Sequence, residues 1–271
     1  MKNILLLVFI TIFISPAFSQ KYGEVGLFVG GAHYFGDVHS DFREDTHLAI
    51  GVNYRQNFNS RWAWNNFLKY ASLSGNDANS GSFFESQRNL SFQSNIIEVG
   101  SVVEFNFLDF KPHKPQSFFQ LADVFTPYAF VGVSLFYHNP KAYLAGNLYE
   151  LRPLQTEGES YSKVSVALPF GFGFKVRVTD RVLMGASLEF RPTFTDYLDD
   201  VHYRYPVDPS TLSKTARDLS NRTTESQGPG GVSWGAQRGN EYNNDWFSYL
   251  GISISYNLKK NPSSCYFNSG K

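Results

Sequence analysis

Histidine and serine are the residues here that could support hydrolysis, because an imidazole can take the proton of a hydroxyl nucleophile. The chain offers His33, His39, His47, His138 and His202, with serines on most of its polar stretches. None lies in a nucleophile-elbow motif, and histidine and serine meet often by chance on loops, so a lipid-modifying hydrolase is the weakest reading. Asp37, Asp41, Glu44 and Asp45 crowd one short stretch and could present oxygens to Ca²⁺, yet they lack EF-hand spacing, and a solvated loop fits them better. Gly228, Gly230 and Gly231 lack the strand and helix context of a phosphate cradle and read as flexibility. No catalytic group, metal site or cofactor site is therefore expected. The remaining chemistry is ionic, with Glu24, Glu98, Glu104 and Glu189 set against Arg55, Lys69, Lys175, Arg177 and Arg191.

Those charges fall within eight segments of period-two pattern, at 22–35, 47–58, 61–72, 94–107, 124–137, 164–178, 182–195 and 246–258. Each is long enough to cross a bilayer core when tilted. The sixth is the clearest: Val164, Val166, Leu168, Phe170, Phe172, Phe174, Val176 and Val178 share one face, opposite Ser165, Gly171, Gly173, Lys175 and Arg177. The segments predict an all-β fold, an eight-stranded antiparallel up-and-down β-barrel. Alternation alone does not say which face is outside, since a soluble barrel has the same period with its apolar face inward. The connections favour the membrane: a few residues near Asn59 and Thr179 to Arg181 make short turns, whereas 73–93, 138–163 and 196–245 are long and polar. The charged residues then point into a lumen so narrow that a paired polar plug is expected and no open pore.

The N-terminus agrees with export. Lys2 precedes an apolar run from Ile4 to Ile14 and the sequence Ser15-Pro16-Ala17-Phe18-Ser19, so residues 1–19 are expected to be a cleaved signal peptide, 20–258 the barrel and 259–271 a periplasmic tail. The chain has 271 residues, a formal net charge of +0 and 17% aromatic side chains, which disfavours a nucleic-acid partner and leaves membrane lipid as the expected surroundings. Its one cysteine, Cys265, excludes an internal disulfide framework; the thiol is either unpaired in the tail or bonded to a partner chain.

Three features strain the pattern. Pro169 and Pro192 fall inside the sixth and seventh segments, where a bulge or local break is expected. Asn66 shares a face with Trp62 and Trp64. The connection from Leu108 to Asp123 is long where a tight turn belongs, and with Lys111, His113 and Lys114 it is expected, together with the tail, to form a docking surface.

The first segment carries the sequence Glu24-Val-Gly26-Leu-Phe-Val-Gly30-Gly31-Ala-His-Tyr34-Phe-Gly36-Asp37. With the eight-strand layout and the C-terminal pair Cys265 and Tyr266, this opening resembles the PorG-like outer-membrane proteins of the Bacteroidetes type IX secretion system. Gly26, Gly30, Tyr34, Gly36 and Asp37 carry the resemblance. It implies a non-enzymatic outer-membrane component of the secretion and gliding machinery, associated with a periplasmic ring of a lipoprotein and its partner. In such a protein Cys265 would be disulfide-bonded to the ring lipoprotein, with Tyr266 and Phe267 as apolar anchors. The runner-up reading is a surface barrel whose long loops bind a ligand.

Overall fold

The computed structural model describes residues 22–110, 124–179, 181–223 and 232–258. Its strands are β1 (Tyr22–Phe35), β2 (His47–Asn57), β3 (Trp62–Asn76), β4 (Ser91–Asn106), β5 (Phe125–Tyr137), β6 (Pro140–Leu144), β7 (Asn147–Glu150), β8 (Val164–Ala167), β9 (Phe170–Arg177), β10 (Val182–Pro192) and β11 (Trp246–Asn257). β1 pairs with β2 on one side and β11 on the other, and β4 pairs with β5, so the antiparallel sheet closes on itself. β8 and β9 are two pieces of one stave, which makes the closed barrel eight-stranded.

Pro169 causes that division. It has no N–H to give the ladder, yet the register runs through it unchanged: Ser134 faces Ala167 and Val131 faces Phe170 on the same count. The Pro169 carbonyl still accepts from the Gly132 N–H at 2.8 Å. The result is a break and not a bulge. Pro192 closes β10, opposite Trp246, where its missing donor costs little.

Side-chain oxygens shape the tight turns. Asn59 Oδ1 accepts from the N–H groups of Arg61 and Trp62, each at 2.8 Å, and Thr179 Oγ1 does the same for Arg181 and Val182. At the opposite end the connections build structure of their own. The stretch 138–163, read above as polar loop, contains the β6–β7 hairpin, turned at Ala145 and Gly146, whose φ values are 48° and 82°. Gln93 pairs with Lys141, which adds this hairpin to the projecting end of β4. Two short helices, α1 (Phe83–Arg88) and α2 (Lys214–Ser220), lie in the same set of loops.

The faces decide the environment. Phe172 is 58% exposed and Ile252 55%, whereas Arg191 is 0% exposed and Lys69 5%. Apolar side chains therefore coat the outside and charges fill the inside, the reverse of a soluble barrel and the arrangement that lipid requires. Aromatic clusters mark both edges of this coat: Trp62, Phe105 and Phe107 near the tight turns, and Phe170, Phe190 and Trp246 near the long loops. No helix among the described residues is long and apolar enough to cross a membrane. Asn66 does face outward, paired across the ladder with Ser101.

Candidate functional site

Inward-facing positions of six staves bring the lumen charges together in two layers. Near the tight turns, Glu104 accepts from Arg55 Nε at 2.9 Å and from Lys175 Nζ, while Arg55 also donates to Glu24 at 2.9 Å. Asn57 and Asn65 complete the carboxylates' shells, at 2.6 Å to Glu24 and 2.7 Å to Glu104. In the second layer Glu189 receives Lys69 Nζ and Arg191, each at 2.5 Å, and Arg191 Nε reaches Glu98 at 2.8 Å. Lys69 also lies over the rings of Phe28, at 4.2 Å, and Tyr249, at 4.7 Å. Removing these charges from water is costly, and only this dense reciprocal pairing offsets it. Between the layers lies a cavity of about 40 Å³, room for a few waters. Arg177 is buried further along β9.

Above the lumen the long loops lock into one cap, organised by two buried arginines. Arg88 binds Asp77 through two nitrogens, at 2.7 and 2.9 Å, and donates to the carbonyls of Asp37 and Arg238, both at 2.6 Å. Arg238 donates to Glu157 at 2.8 Å and to the Asp200 carbonyl at 2.5 Å. Glu157 in turn accepts the backbone N–H groups of His202 and Tyr203. Thus the loop after β1, the loop holding α1, the loop after β7 and the long loop before β11 are tied by charge-assisted hydrogen bonds.

The motif of the first strand is the keystone of this cap. The Tyr34 hydroxyl lies 2.6 Å from Asp199 Oδ2 and 3.0 Å from Asp245 Oδ1. A Cβ on Gly36 would fall 1.9 Å from Asp245 Oδ1 and 2.0 Å from the Tyr34 hydroxyl, so only glycine admits this junction. Asp37 Oδ2 accepts from the Asn240 N–H at 2.9 Å. Gly26 and Gly30 face the lumen lower on the same strand, and at Gly30 a Cβ would strike the Leu250 carbonyl at 2.3 Å. Burial pushes the cap carboxyls up: Asp200 to about 6, and Asp37 above its ordinary value. Asp199 and Asp245 rise for the same reason and because each is close to other carboxylates.

The histidines do not converge. His33 contacts Ser40 and Thr46, both at 3.3 Å, and His39 lies 3.6 Å from Glu85. His138 is buried with no partner for either ring nitrogen among the described residues, and His202 pairs with Asp196 at 2.6 Å. His47 Nε2 lies 2.6 Å from Ser74 Oγ, but that hydroxyl donates its single proton to Asp45 Oδ1 at 2.9 Å. His47 is then the donor to Ser74, and no nucleophile is poised. Asp41 and Asp45 spend their oxygens on neighbouring N–H groups and Ser74, and no group of three His, Cys, Asp or Glu side chains among the described residues is placed to hold a metal. Lys111, His113, Lys114, Cys265, Tyr266 and Phe267 lie outside the described residues, as do Gly228, Gly230, Gly231, the N-terminal segment 1–19 and the tail 259–271. Sequence reasoning missed Asp77, Arg88, Glu157, Asp199, Asp200, Arg238 and Asp245, because charged residues in polar loops carry no periodicity to mark them.

Among solved structures the chain is similar to Ail, the attachment invasion locus protein of Yersinia pestis, at 9% identity over 88% of this chain and 98% of that one, with a TM-score of 0.42. It is also similar to the outer membrane protein OprG from Pseudomonas aeruginosa, at 10% identity over 89% and 99%, TM-score 0.42. A third is Neisserial surface protein A, at 11% identity over 87% and 95%, TM-score 0.39. No curated protein matches the sequence. The family model described as a domain of unknown function, DUF6089, matches residues 2–208, and the chain belongs to that family.

Proposed function

We propose that this chain is a non-enzymatic outer-membrane component of the type IX secretion and gliding machinery, holding a periplasmic ring complex to the membrane. The observation that carries the reading is the solid lumen under an interlocked cap, which leaves the two ends of the barrel as the surfaces where a function can reside. The PorG-like motif of Gly26, Gly30, Tyr34, Gly36 and Asp37 supports the assignment to that machinery. In this reading the tight-turn end, where β1 begins and β11 ends, faces the periplasm. The ring lipoprotein docks there on Lys111, His113, Lys114, Tyr266 and Phe267, with Cys265 as a covalent link. Pull-down from solubilised outer membranes tests this: ring components among the prey favour it, and their absence sinks it. A tag between Asp208 and Gln237 should be reachable on intact cells and one after Lys260 should not. Non-reducing gels after thiols are blocked at lysis should show a heavier species that is lost in Cys265→Ser.

A second reading, a surface barrel that binds a ligand through its long loops, is favoured by the rigidity of the cap. Arg88 and Arg238 fix four loops that a plain anchor has no need to order.

A further inference from the structure

The cap carries a groove of about 260 Å³ that the lumen and the motif junction do not use. Its floor and walls are Tyr197, His202, Tyr203, Arg204 and Glu159, with Glu157 behind. Tyr197, His202 and the pair of Tyr203 and Arg204 are held before any ligand arrives. Tyr197 stacks on the buried Tyr161 at 4.5 Å with an interplanar angle of 7°, so one face of its ring is backed. His202 is fixed by Asp196 through Nδ1, at 2.6 Å, and lies 5.2 Å from Tyr197. Arg204 lies over the Tyr203 ring at 4.3 Å. The backbone beneath is clamped by Glu157, whose oxygens take the N–H groups of His202 and Tyr203 at 2.9 and 3.1 Å.

We propose that this groove binds a short saccharide of one or two rings, presented outside the membrane. The C–H face of a pyranose is weakly electropositive and lies well against the negative face of an aromatic ring, which Tyr197 and Tyr203 supply. The hydroxyls of a sugar need donors and acceptors in a fixed arrangement. His202, Tyr197, Tyr203, Glu159 and Arg204 line the groove and bring an imidazole, two hydroxyls, a carboxylate and a guanidinium to it. A peptide fits less well. Peptides that add to a fold commonly pair with a free backbone edge, and here that edge is taken: the Tyr205 N–H donates to the Ala236 carbonyl at 3.0 Å, and Arg204 bridges to Gln237. With one exposed cation and one exposed anion on its walls, the groove has no excess of sign to select a polyionic ligand. The volume lies just below the range usual for drug-sized ligands, which limits the occupant to one or two rings.

The test uses the full chain purified in lauryldimethylamine oxide, because sugar-headed detergents would occupy the site. Saturation-transfer NMR and calorimetric titration with maltose, lactose, N,N′-diacetylchitobiose, galacturonic acid and N-acetylneuraminic acid should give saturable binding of at least one, with a dissociation constant on the order of 1 mM or tighter. Tyr203→Ala and Glu159→Gln alter side chains at the rim that hold no other element, and each should weaken that binding at least tenfold with unchanged heat-modifiable gel mobility. Binding of none of the five sugars overturns the proposal. So does wild-type affinity in both variants, or preferential binding of the tripeptide Lys-Tyr-Lys over every sugar.

Discussion

Replacing Arg191 with methionine tests whether the lumen is a desolvated ionic solid. Arg191 is fully buried and joins Glu98 at 2.8 Å to Glu189 at 2.5 Å. At an effective dielectric constant of about 20 a unit pair at that first separation is worth roughly 6 kcal/mol before desolvation is counted. The measured cost of removing one member of a buried pair is smaller, about 3–5 kcal/mol, because the surroundings relax. In Arg191→Met the two carboxylates fare differently. Glu189 keeps Lys69 at 2.5 Å. Glu98 keeps no hydrogen-bonded cation, since its Oε2 lacks a partner among the described residues and Oε1 is bound by Arg191, and only the more distant charge of Lys69 still acts on it. The loss therefore comes mainly from stranding Glu98, and Arg191→Met with Glu98→Gln should recover most of it. Urea unfolding in phospholipid vesicles, followed by tryptophan fluorescence, should show a drop of about 3–5 kcal/mol for the single variant and much less for the double. A single-variant loss below about 1 kcal/mol, or simple additivity in the double, would mean that the lumen is wet and screened.

On the outer face, Phe172→Arg should cost about 2–4 kcal/mol near the midplane and impair assembly, read as reduced heat-modifiable barrel in membranes; full tolerance would contradict the lipid-facing assignment. Gly173→Ala is expected from the sequence to be milder unless the interior is tightly packed; a Cβ there would meet the Ala186 carbonyl at 2.3 Å and the Tyr128 ring at 2.9 Å, so it too should destabilise, by about 1–3 kcal/mol in the same unfolding assay. Gly36→Ala should free the cap while sparing the barrel: proteolysis of the loop before β11 should accelerate with unchanged urea unfolding, and equal protection would refute the keystone role of the motif. The cap should also loosen as pH rises. Asp200, pushed up to about 6, and Asp37, Asp199 and Asp245, raised by burial, hold protons in the folded cap that released loops would lose. Their contribution is full below the ordinary carboxylate range, near about 4, and lost as pH climbs through the raised values. Protection factors in the cap, taken against the intrinsic exchange rate at each pH, should be higher at pH 5 than at pH 8, and the reverse order would contradict the assignment.

The barrel was legible because lipid imposes a strict period of two on every stave, and Val164 to Val178 displays it without interruption in side-chain direction even though Pro169 breaks the ladder. The two faces were legible for the same reason, down to Asn66 facing outward. The hairpin of β6 and β7 was not, because its turn is Ala145-Gly146, without the Asn-Gly or Asp-Gly signal, and its strands are only five and four residues long. The cap escaped altogether. Arg88 reaches the Arg238 carbonyl and the Asp199 carboxylate takes the Tyr34 hydroxyl, each across more than a hundred residues, and no local spacing encodes such contacts. The motif glycines stood out as a pattern, but the physical demand on Gly36, a junction with Asp245 across the whole barrel sequence, exists only once the fold has closed.

Conductance of the purified chain in planar bilayers tests the central claim most directly, because a lumen filled by Glu24, Arg55, Lys69, Glu98, Glu104, Lys175, Glu189 and Arg191 under an interlocked cap leaves no water-filled path. The protein should insert, as judged by heat-modifiable mobility of the recovered sample, without opening stable channels. A persistent large conductance from the wild-type chain would contradict it.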